Sequence, residues 1–267
     1  MNLKQRFATN NECYKVGKTI KPKGIMVHST GANNPNLKRY VQPDDGLLGV
    51  NPNGNSFNTY RPGGRQVCVH AFIGKLKDGS IATYQILPWN YRGWHSGGLA
   101  NDSYIGFEIC EDDLTDSVYF EKVYREAVEL CAYLCLMFDL DEKDIICHSE
   151  GHKKGIASNH SDVMHWFPKH GKSMDTFRKD VKAELSKGAV VQPTTGTVKP
   201  PLPKTVKPYT VRIIADVLNI RAGAGTNHKV KGTVKKGGVY TIVEESNGWG
   251  KLKSGAGWIR LTYTKKT

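Results

Sequence analysis

The sequence predicts an α/β domain, a mixed sheet flanked by helices, followed by a small all-β domain. Three observations support this division. Strand and helix patterns alternate through residues 1–187, as expected for a sheet covered by helices. Residues 188–208 contain five prolines, which favour an extended linker over a helix or a central strand. Residues 209–267 contain six short strand-like segments separated by Gly, Asn and Ser, which is typical of a small barrel.

Four segments of the first domain are predicted as strands, because short apolar runs end in turn-forming residues: Lys23–His28, Val67–Ile73, Ser80–Leu87 and Tyr104–Cys110. The second and third are expected to pair around the turn at Asp78 and Gly79. Apolar residues recur at helical spacing across Tyr119–Leu140, which predicts a long helix. A last helix is predicted at Ser173–Leu185, with Ser173 as its N-cap.

Positive charge is concentrated in the second part of the chain. The net charge is +13, yet residues 188–267 hold 14 of the 38 basic residues and only 3 of the 25 acidic ones. Such a segment is attracted to a polyanion: a nucleic acid, an acidic membrane or an anionic cell-wall polymer.

Other features of the composition exclude whole classes of protein. No apolar run approaches the roughly 20 residues of a membrane span, so we expect no insertion into a membrane. The first 18 residues contain no apolar core of a secretory signal. The six cysteines show no C-x-x-C spacing and are expected to be reduced core residues.

Two histidines and one aspartate are candidate metal ligands. His28 ends the first predicted strand, His148 ends the apolar segment IICH, and Asp162 follows 14 residues later. Two imidazoles and one carboxylate suit a tetrahedral zinc site whose fourth position is left to water. Spacing alone leaves the alternative open that these are surface or hydrogen-bonded histidines.

Glu108 is a candidate general base because it lies in the apolar segment YIGFEIC. Burying an ionised carboxylate is costly unless it is paired or hydrogen-bonded. The residue is therefore either a salt-bridge partner or a base with a raised pKa beside a metal-activated water. The sequence alone favours neither.

Four other histidines are expected to have structural roles. His70 lies within a predicted strand and is interpreted as structural. His152 lies four residues after His148, but Gly151 and the absence of helical apolar spacing argue against a helix there. His165 and His170 are interpreted as loop or packing residues.

Residues 20–185 resemble the zinc-dependent N-acetylmuramoyl-L-alanine amidases of the type 2 family, whose fold is shared with peptidoglycan recognition proteins. The resemblance is carried, in family order, by IMVHST (25–30), GWHSG (93–97), NDSYIGFEIC (101–110) and residues 146–171. It implies that His28, His148 and Asp162 bind zinc and that Glu108 acts on the attacking water. It also implies that His160 steadies the oxyanion, in place of the lysine of many members. Trp94 and His95 would line the substrate groove, although the residues leave the role of His95 open.

The C-terminal segment resembles the bacterial SH3-like module of cell-wall proteins, through residues 215–237, 245–255 and 257–261. This resemblance implies binding to wall peptides or to anionic wall polymers. The whole chain is thus expected to be a peptidoglycan hydrolase that cleaves the amide between N-acetylmuramic acid and L-alanine. We expect a monomer without specific nucleic-acid binding.

Three other functions compete with this interpretation. A non-catalytic peptidoglycan sensor would typically lack a zinc ligand, and a nucleic-acid-binding protein would leave the amidase motifs unexplained. A stem-peptide endopeptidase on the same fold stays open. The absence of a signal segment, together with catalytic and wall-binding modules, resembles phage endolysins, which are made in the host cytoplasm and act on the cell wall.

Overall fold

The computed structural model describes residues 1–60, 63–64, 66–186, 204–224, 228–246 and 249–267. These residues form two compact units, one on either side of residues 187–203. Most of the predicted linker, residues 188–203, lies outside the described residues. Its last five residues belong to a strand of the second unit.

The first unit contains a six-stranded sheet and four α-helices. The strands are β1 (Leu3–Gln5), β2 (Gly24–Ser29), β3 (Ala71–Lys75), β4 (Ile81–Gln85), β5 (Tyr104–Ile109) and β6 (Ile145–Cys147). The helices are α1 (Glu12–Val16), α2 (Ser117–Phe138), α3 (His148–Lys153) and α4 (Met174–Ser186). Short 3₁₀ segments occur at Leu37–Arg39, Leu99–Asp102, Glu142–Asp144 and Phe167–His170. Within the described residues, no helix combines the length and apolarity needed to cross a membrane.

The strand order is β1-β4-β3-β5-β2-β6, and the sheet is mixed as predicted. Strand β2 is parallel to β5 and β6, whereas β3 and β4 form the predicted antiparallel pair. His28 lies opposite Glu108 in the register of β2 and β5. Since residues in register on neighbouring strands share a face, both side chains point to the same side of the sheet.

Both faces of the sheet are buried. Val27 and Phe107 point to the face covered by α2, whose N-cap is Asp116, with Tyr119 N–H donating to its side chain at 2.9 Å. Because side chains alternate along a strand, His28 and Glu108 lie on the opposite face. Helix α4 packs against α2 and begins after Ser173, whose hydroxyl accepts from Thr176 N–H as a capping side chain does.

The sequence interpretation of the segment around His152 is wrong, because α3 runs from His148 to Lys153. Glu150 supports this helix by accepting a hydrogen bond from Cys147 N–H at 3.1 Å. Gly151 lies inside this helix where the packing is close: a Cβ there would lie 2.8 Å from Met26 Cε and 3.1 Å from Ala157 Cβ. Glycine at this position therefore allows the close packing of the helix on β2 without a shift of the Met26 side chain.

The second unit is all β. Its strands are β7 (Lys204–Ile213), β8 (Val217–Arg221), β9 (Val230–Lys235), β10 (Val239–Ser246), β11 (Trp249–Leu252), β12 (Trp258–Arg260) and β13 (Thr264–Lys266), and a 3₁₀ segment lies at Leu261–Tyr263. The sheet order is β13-β7-β10-β11-β12-β8-β9. Strand β13 was not predicted. The core contains Val211, Ile220, Val234, Ile242 and Ile259, and Trp249 and Trp258 are also buried.

Strand β7 includes Pro208 although proline cannot donate to a sheet. Its pairing with β10 joins Tyr209 to Ile242 and Thr205 to Glu244, with an irregularity between these two pairs. Pro208 lies in this irregular stretch, where a bulge tolerates a missing donor. Strand β7 therefore begins at Lys204, within the stretch predicted as linker.

Candidate metal centre

Three side chains from three separate segments converge at the carboxyl ends of β2, β5 and β6. His28 comes from the end of β2, His148 is the first residue of α3, and Asp162 lies in the loop that follows α3. His28 Nδ1 lies 2.9 Å from Asp162 Oδ2 and 3.1 Å from His148 Nδ1. His148 Nδ1 lies 3.6 Å from Asp162 Oδ2.

This arrangement fits a tetrahedral metal ion. Ligand atoms bound to zinc at about 2.0–2.1 Å are roughly 3.3 Å apart in a tetrahedron, close to the three separations in this cluster. The three ligand atoms could hold one ion, and both histidines are buried. Two imidazole nitrogens and one carboxylate oxygen are donors that zinc prefers.

The electrostatics of the cluster also suit a cation. Burial lowers the pKa of His28, despite the opposing effect of Asp162, so the imidazole is neutral at pH 7. Burial alone would raise the pKa of Asp162, but hydrogen bonds with His148 and His28 outweigh it and lower that pKa below its usual range. A neutral imidazole and an ionised carboxylate are the metal-binding forms of these groups.

Glu108 lies at the wall of the same cavity, which has a volume of about 690 Å³. Burial, with further contributions from Asp162 and Glu111, raises the pKa of Glu108 well above its usual value. Its Oε2 atom is buried without a hydrogen-bond partner, and no ion pair of Glu108 occurs among the described residues. The salt-bridge alternative thus finds no support, whereas the position suits a base that acts on a bound water.

The structure places His160 and Trp94 at the cavity as well. His160 is exposed, and its ring centroid lies 4.6 Å from that of His148. Trp94 is 46% exposed and its ring is approached by Arg92, whose guanidinium lies 5.5 Å from the ring centroid. Trp94 thus offers an aromatic surface beside the candidate metal ligands.

His95 lies at the cavity wall beside Trp94, and it also makes a contact with His28 that the sequence did not predict. Its Nδ1 atom lies 2.9 Å from His28 Nε2, and its Nε2 atom lies 3.2 Å from Tyr104 O. Burial lowers the pKa of His95 well below its usual value, so the ring is neutral. Both ring nitrogens are therefore engaged within the protein.

Sequence reasoning missed one polar contact in the cavity wall. His165 lies in a turn, as interpreted from the sequence, and its Nε2 atom also lies 2.9 Å from Oε1 of the buried Glu111. Glu111 follows β5 three residues after Glu108, and that position at a strand end was the available signal. His170, in contrast, stacks on Phe120 at 4.1 Å and is a packing residue.

Two family models match the chain, one in each unit. A family model described as N-acetylmuramoyl-L-alanine amidase matches residues 18–165, and one described as bacterial SH3 domain matches residues 216–265. No curated protein sequence matches the chain significantly.

Several solved structures are similar to the chain. The structure of PlyL is 21% identical and covers 68% of this chain and 96% of its own, with a TM-score of 0.48. The Staphylococcus aureus hydrolase AmiA is 17% identical, with coverages of 72% and 87% and a TM-score of 0.49. The catalytic domain of XlyA is 22% identical, with coverages of 68% and 99% and a TM-score of 0.45.

Proposed function

The chain belongs to the N-acetylmuramoyl-L-alanine amidase family, and from this membership we propose a zinc-dependent cleavage of the amide between N-acetylmuramic acid and L-alanine in peptidoglycan. The observation that supports zinc is the convergence of His28, His148 and Asp162 within a few ångströms of one another. Zinc bound there would lower the pKa of a water molecule and polarise the scissile carbonyl.

The chain's own residues divide the remaining work. Glu108, whose pKa is raised by burial and by the nearby Asp162 and Glu111, accepts a proton from the attacking water. His160, as the imidazolium, donates a hydrogen bond to the carbonyl oxygen as it becomes negatively charged. Either of these two groups returns a proton to the amine of L-alanine as it leaves. Trp94 contributes an apolar surface to the substrate groove.

The second unit belongs to the proposal as the part that binds the wall. It matches a bacterial SH3 domain, and its exposed surface is rich in lysine, including Lys229, Lys231, Lys235, Lys236 and Lys253. These side chains suit an anionic wall polymer, which attracts them without a specific geometry. Monomeric state and synthesis in a host cytoplasm stay predictions from the sequence.

The experiment that tests this function is end-group analysis of purified Gram-positive cell walls after digestion, with and without a zinc chelator. New N-terminal L-alanine that disappears on chelation would support both the amidase and its metal. A different amino-terminal residue would indicate the endopeptidase, and new reducing ends would indicate a glycosidase. A protein that binds walls but produces no new ends would be the non-catalytic sensor.

Two substitutions separate the proposed roles at the metal centre. We expect Glu108→Gln to reduce turnover by at least about 100-fold, the usual contribution of a positioned base, while one zinc ion stays bound. We expect Asp162→Ala to lose both zinc and activity, because only two ligands remain. Metal content after dialysis, measured beside activity on soluble muropeptide, distinguishes the two. Loss of zinc from Glu108→Gln would instead make Glu108 a metal ligand or a structural residue.

A further inference from the structure

We propose that His95 and Ser158 are positioning residues that fix the tautomers of the two ligand imidazoles, so that each presents an unprotonated Nδ1 to the metal. This inference rests on the proposed function, because it assumes that zinc binds to His28 and His148. It reassigns His95 from the substrate groove and gives a role to Ser158, to which the sequence assigned none.

The first contact of this kind joins His95 to His28. The Tyr104 carbonyl oxygen lies 3.2 Å from His95 Nε2, and a carbonyl can only accept. His95 therefore donates through Nε2, and its Nδ1, which faces His28, is the atom left to accept. His95 Nδ1 lies 2.9 Å from His28 Nε2, so His28 donates through Nε2. An ion that replaced the hydrogen bond between His28 Nδ1 and Asp162 would then meet the lone pair of Nδ1, because the ring proton is held at Nε2.

The backbone of β5 makes this contact possible. A Cβ at Gly106 would lie 2.4 Å from His95 Nδ1, so only glycine leaves room for the ring. Beneath it, His70 accepts from Gly106 N–H at 3.1 Å. The imidazole of His95 is therefore confined between the strand and His28.

The second contact joins Ser158 to His148. Ser158 Oγ lies 3.1 Å from Ser96 O, 3.2 Å from His148 Nε2 and 3.0 Å from His160 Nδ1. The Ser96 carbonyl can only accept, so it receives the single hydroxyl proton. The oxygen of Ser158 then accepts from both histidines. His148 is thus protonated on Nε2, with a free Nδ1 toward the metal, and the same hydroxyl orients His160.

The buried side-chain amide of Asn101 fixes the loop that contains His95 and Ser96, and both contacts depend on this loop. Asn101 Oδ1 accepts hydrogen bonds from the backbone N–H groups of His95 and Ser96, each at 2.9 Å, and from Ser96 Oγ at 3.0 Å. This loop places the His95 ring against His28 and the Ser96 carbonyl against Ser158. The two ligand imidazoles, 120 positions apart in the sequence, are therefore oriented from one short segment.

The expected effect of breaking either contact is weaker zinc binding. An imidazole that lacks a partner at its outer nitrogen can rotate or change tautomer, and loss of such partners typically lowers metal affinity about 10- to 100-fold. A residue that only lined the substrate groove would change the Michaelis constant and leave zinc affinity unchanged.

The test is a zinc titration of the full chain against a competing chelator at neutral pH. His95→Phe keeps a ring of similar size without an acceptor, whereas His95→Gln keeps an amide oxygen that can accept. Ser158→Ala removes one half-buried hydroxyl and is expected to preserve the fold. His152→Gln is the matched control, since this exposed imidazole lies four residues from His148 outside the contacts described.

We expect zinc dissociation constants about 10- to 100-fold higher for His95→Phe and Ser158→Ala, partial recovery in His95→Gln, and no change in His152→Gln. Nitrogen-15 spectra of the zinc-loaded wild type should show the Nε2–H tautomer at His28 and His148. Unchanged affinity in Ser158→Ala and His95→Phe, or Nδ1–H tautomers, would overturn the inference alone. A wild type that binds no zinc would overturn the proposed zinc dependence together with it.

Discussion

His70 is a buried imidazole that lies close to the candidate metal centre without belonging to it. Its Nε2 atom lies 2.8 Å from Tyr91 O and its Nδ1 atom 3.1 Å from Gly106 N, so both nitrogens are engaged. Burial, only partly offset by the hydrogen bonds to Tyr91 and Gly106, lowers its pKa from 6.5 to about 4. The structural role interpreted from the sequence agrees with these contacts.

This shift predicts a pH dependence of stability. The unfolded chain binds a proton at His70 near pH 6.5, whereas the folded chain resists it until about pH 4. The contribution of neutral His70 is thus fully present above pH 6.5 and is lost as pH falls toward 4, by about 3 kcal/mol in total. The free energy of unfolding in urea, measured between pH 4.5 and 7.5 on zinc-free protein, checks this.

The variant His70→Gln isolates the contribution of His70 to this pH dependence, because glutamine does not titrate. We expect the stability of the variant to fall less steeply with decreasing pH than that of the wild type. Parallel curves for the two proteins would mean that His70 takes up its proton at the same pH in the folded and the unfolded chain.

At the level of single residues, the chemical roles of side chains were easier to predict than the contacts that these side chains make. His28 and His148 were recognisable at the ends of apolar segments, and Glu108 by its apolar neighbours. Asp162 was a candidate ligand by its type and its place after His148, and the family resemblance favoured this role over the alternatives that spacing left open. The contacts of His95 and Ser158 were not predictable, because they depend on a loop and on Gly106, which are distant in sequence from the ligands they support.

Among the elements, α2 depends on a capping side chain that can be tested by itself. Asp116 accepts from Tyr119 N–H at 2.9 Å and so satisfies one of the free donors of the first turn. We expect Asp116→Ala to lower the free energy of unfolding by about 1 kcal/mol, with no change in zinc affinity. Urea denaturation of both proteins measures the difference.

Glu121→Ala is a suitable control on the same helix. Its carboxylate lies 3.8 Å from Lys172 Nζ at the surface, where an ion pair contributes little. An equal loss of stability in both variants would show that the effect comes from the negative charge near the helix start and not from the cap.

The long and regular elements were predictable, and the short ones were not. The helix predicted at Tyr119–Leu140 is observed at Ser117–Phe138, because helical periodicity persists over several turns. Strand β1 has three residues and helix α1 has five, too few for a period to show. Helix α3 was missed because Gly151 is there for packing and not to end a helix.

For the whole molecule, the uneven charge predicts a division of labour between the two units. The 14 basic residues of the segment 188–267 face only three acidic ones, so ion pairs such as Lys236–Asp216 and Lys251–Glu244 leave most of the charge uncompensated. We expect a chain shortened to residues 1–187 to cleave soluble muropeptide normally but to sediment poorly with cell walls. Activity and co-sedimentation assays measure the two properties separately.

Salt provides the control for this prediction. The screening length falls from about 10 Å at 0.1 M salt to roughly 3 Å at 1 M. Wall binding by the full chain should therefore weaken at high salt if charge attracts it. Salt-resistant binding would indicate a specific peptide pocket in the second unit, and a shortened chain without activity would show that the units depend on each other.

The candidate metal ligands lie far apart in the sequence, and this separation bears on the resistance of the first unit to unfolding. All six cysteines are free thiols, so no disulfide ties distant parts together, yet Asp162 meets His28 across 134 positions of sequence. A metal ion held by these residues would act as a removable cross-link that needs no oxidant to form. The resistance of the first unit to heat and proteolysis would therefore follow the free zinc concentration, and zinc-poor surroundings would shorten its lifetime.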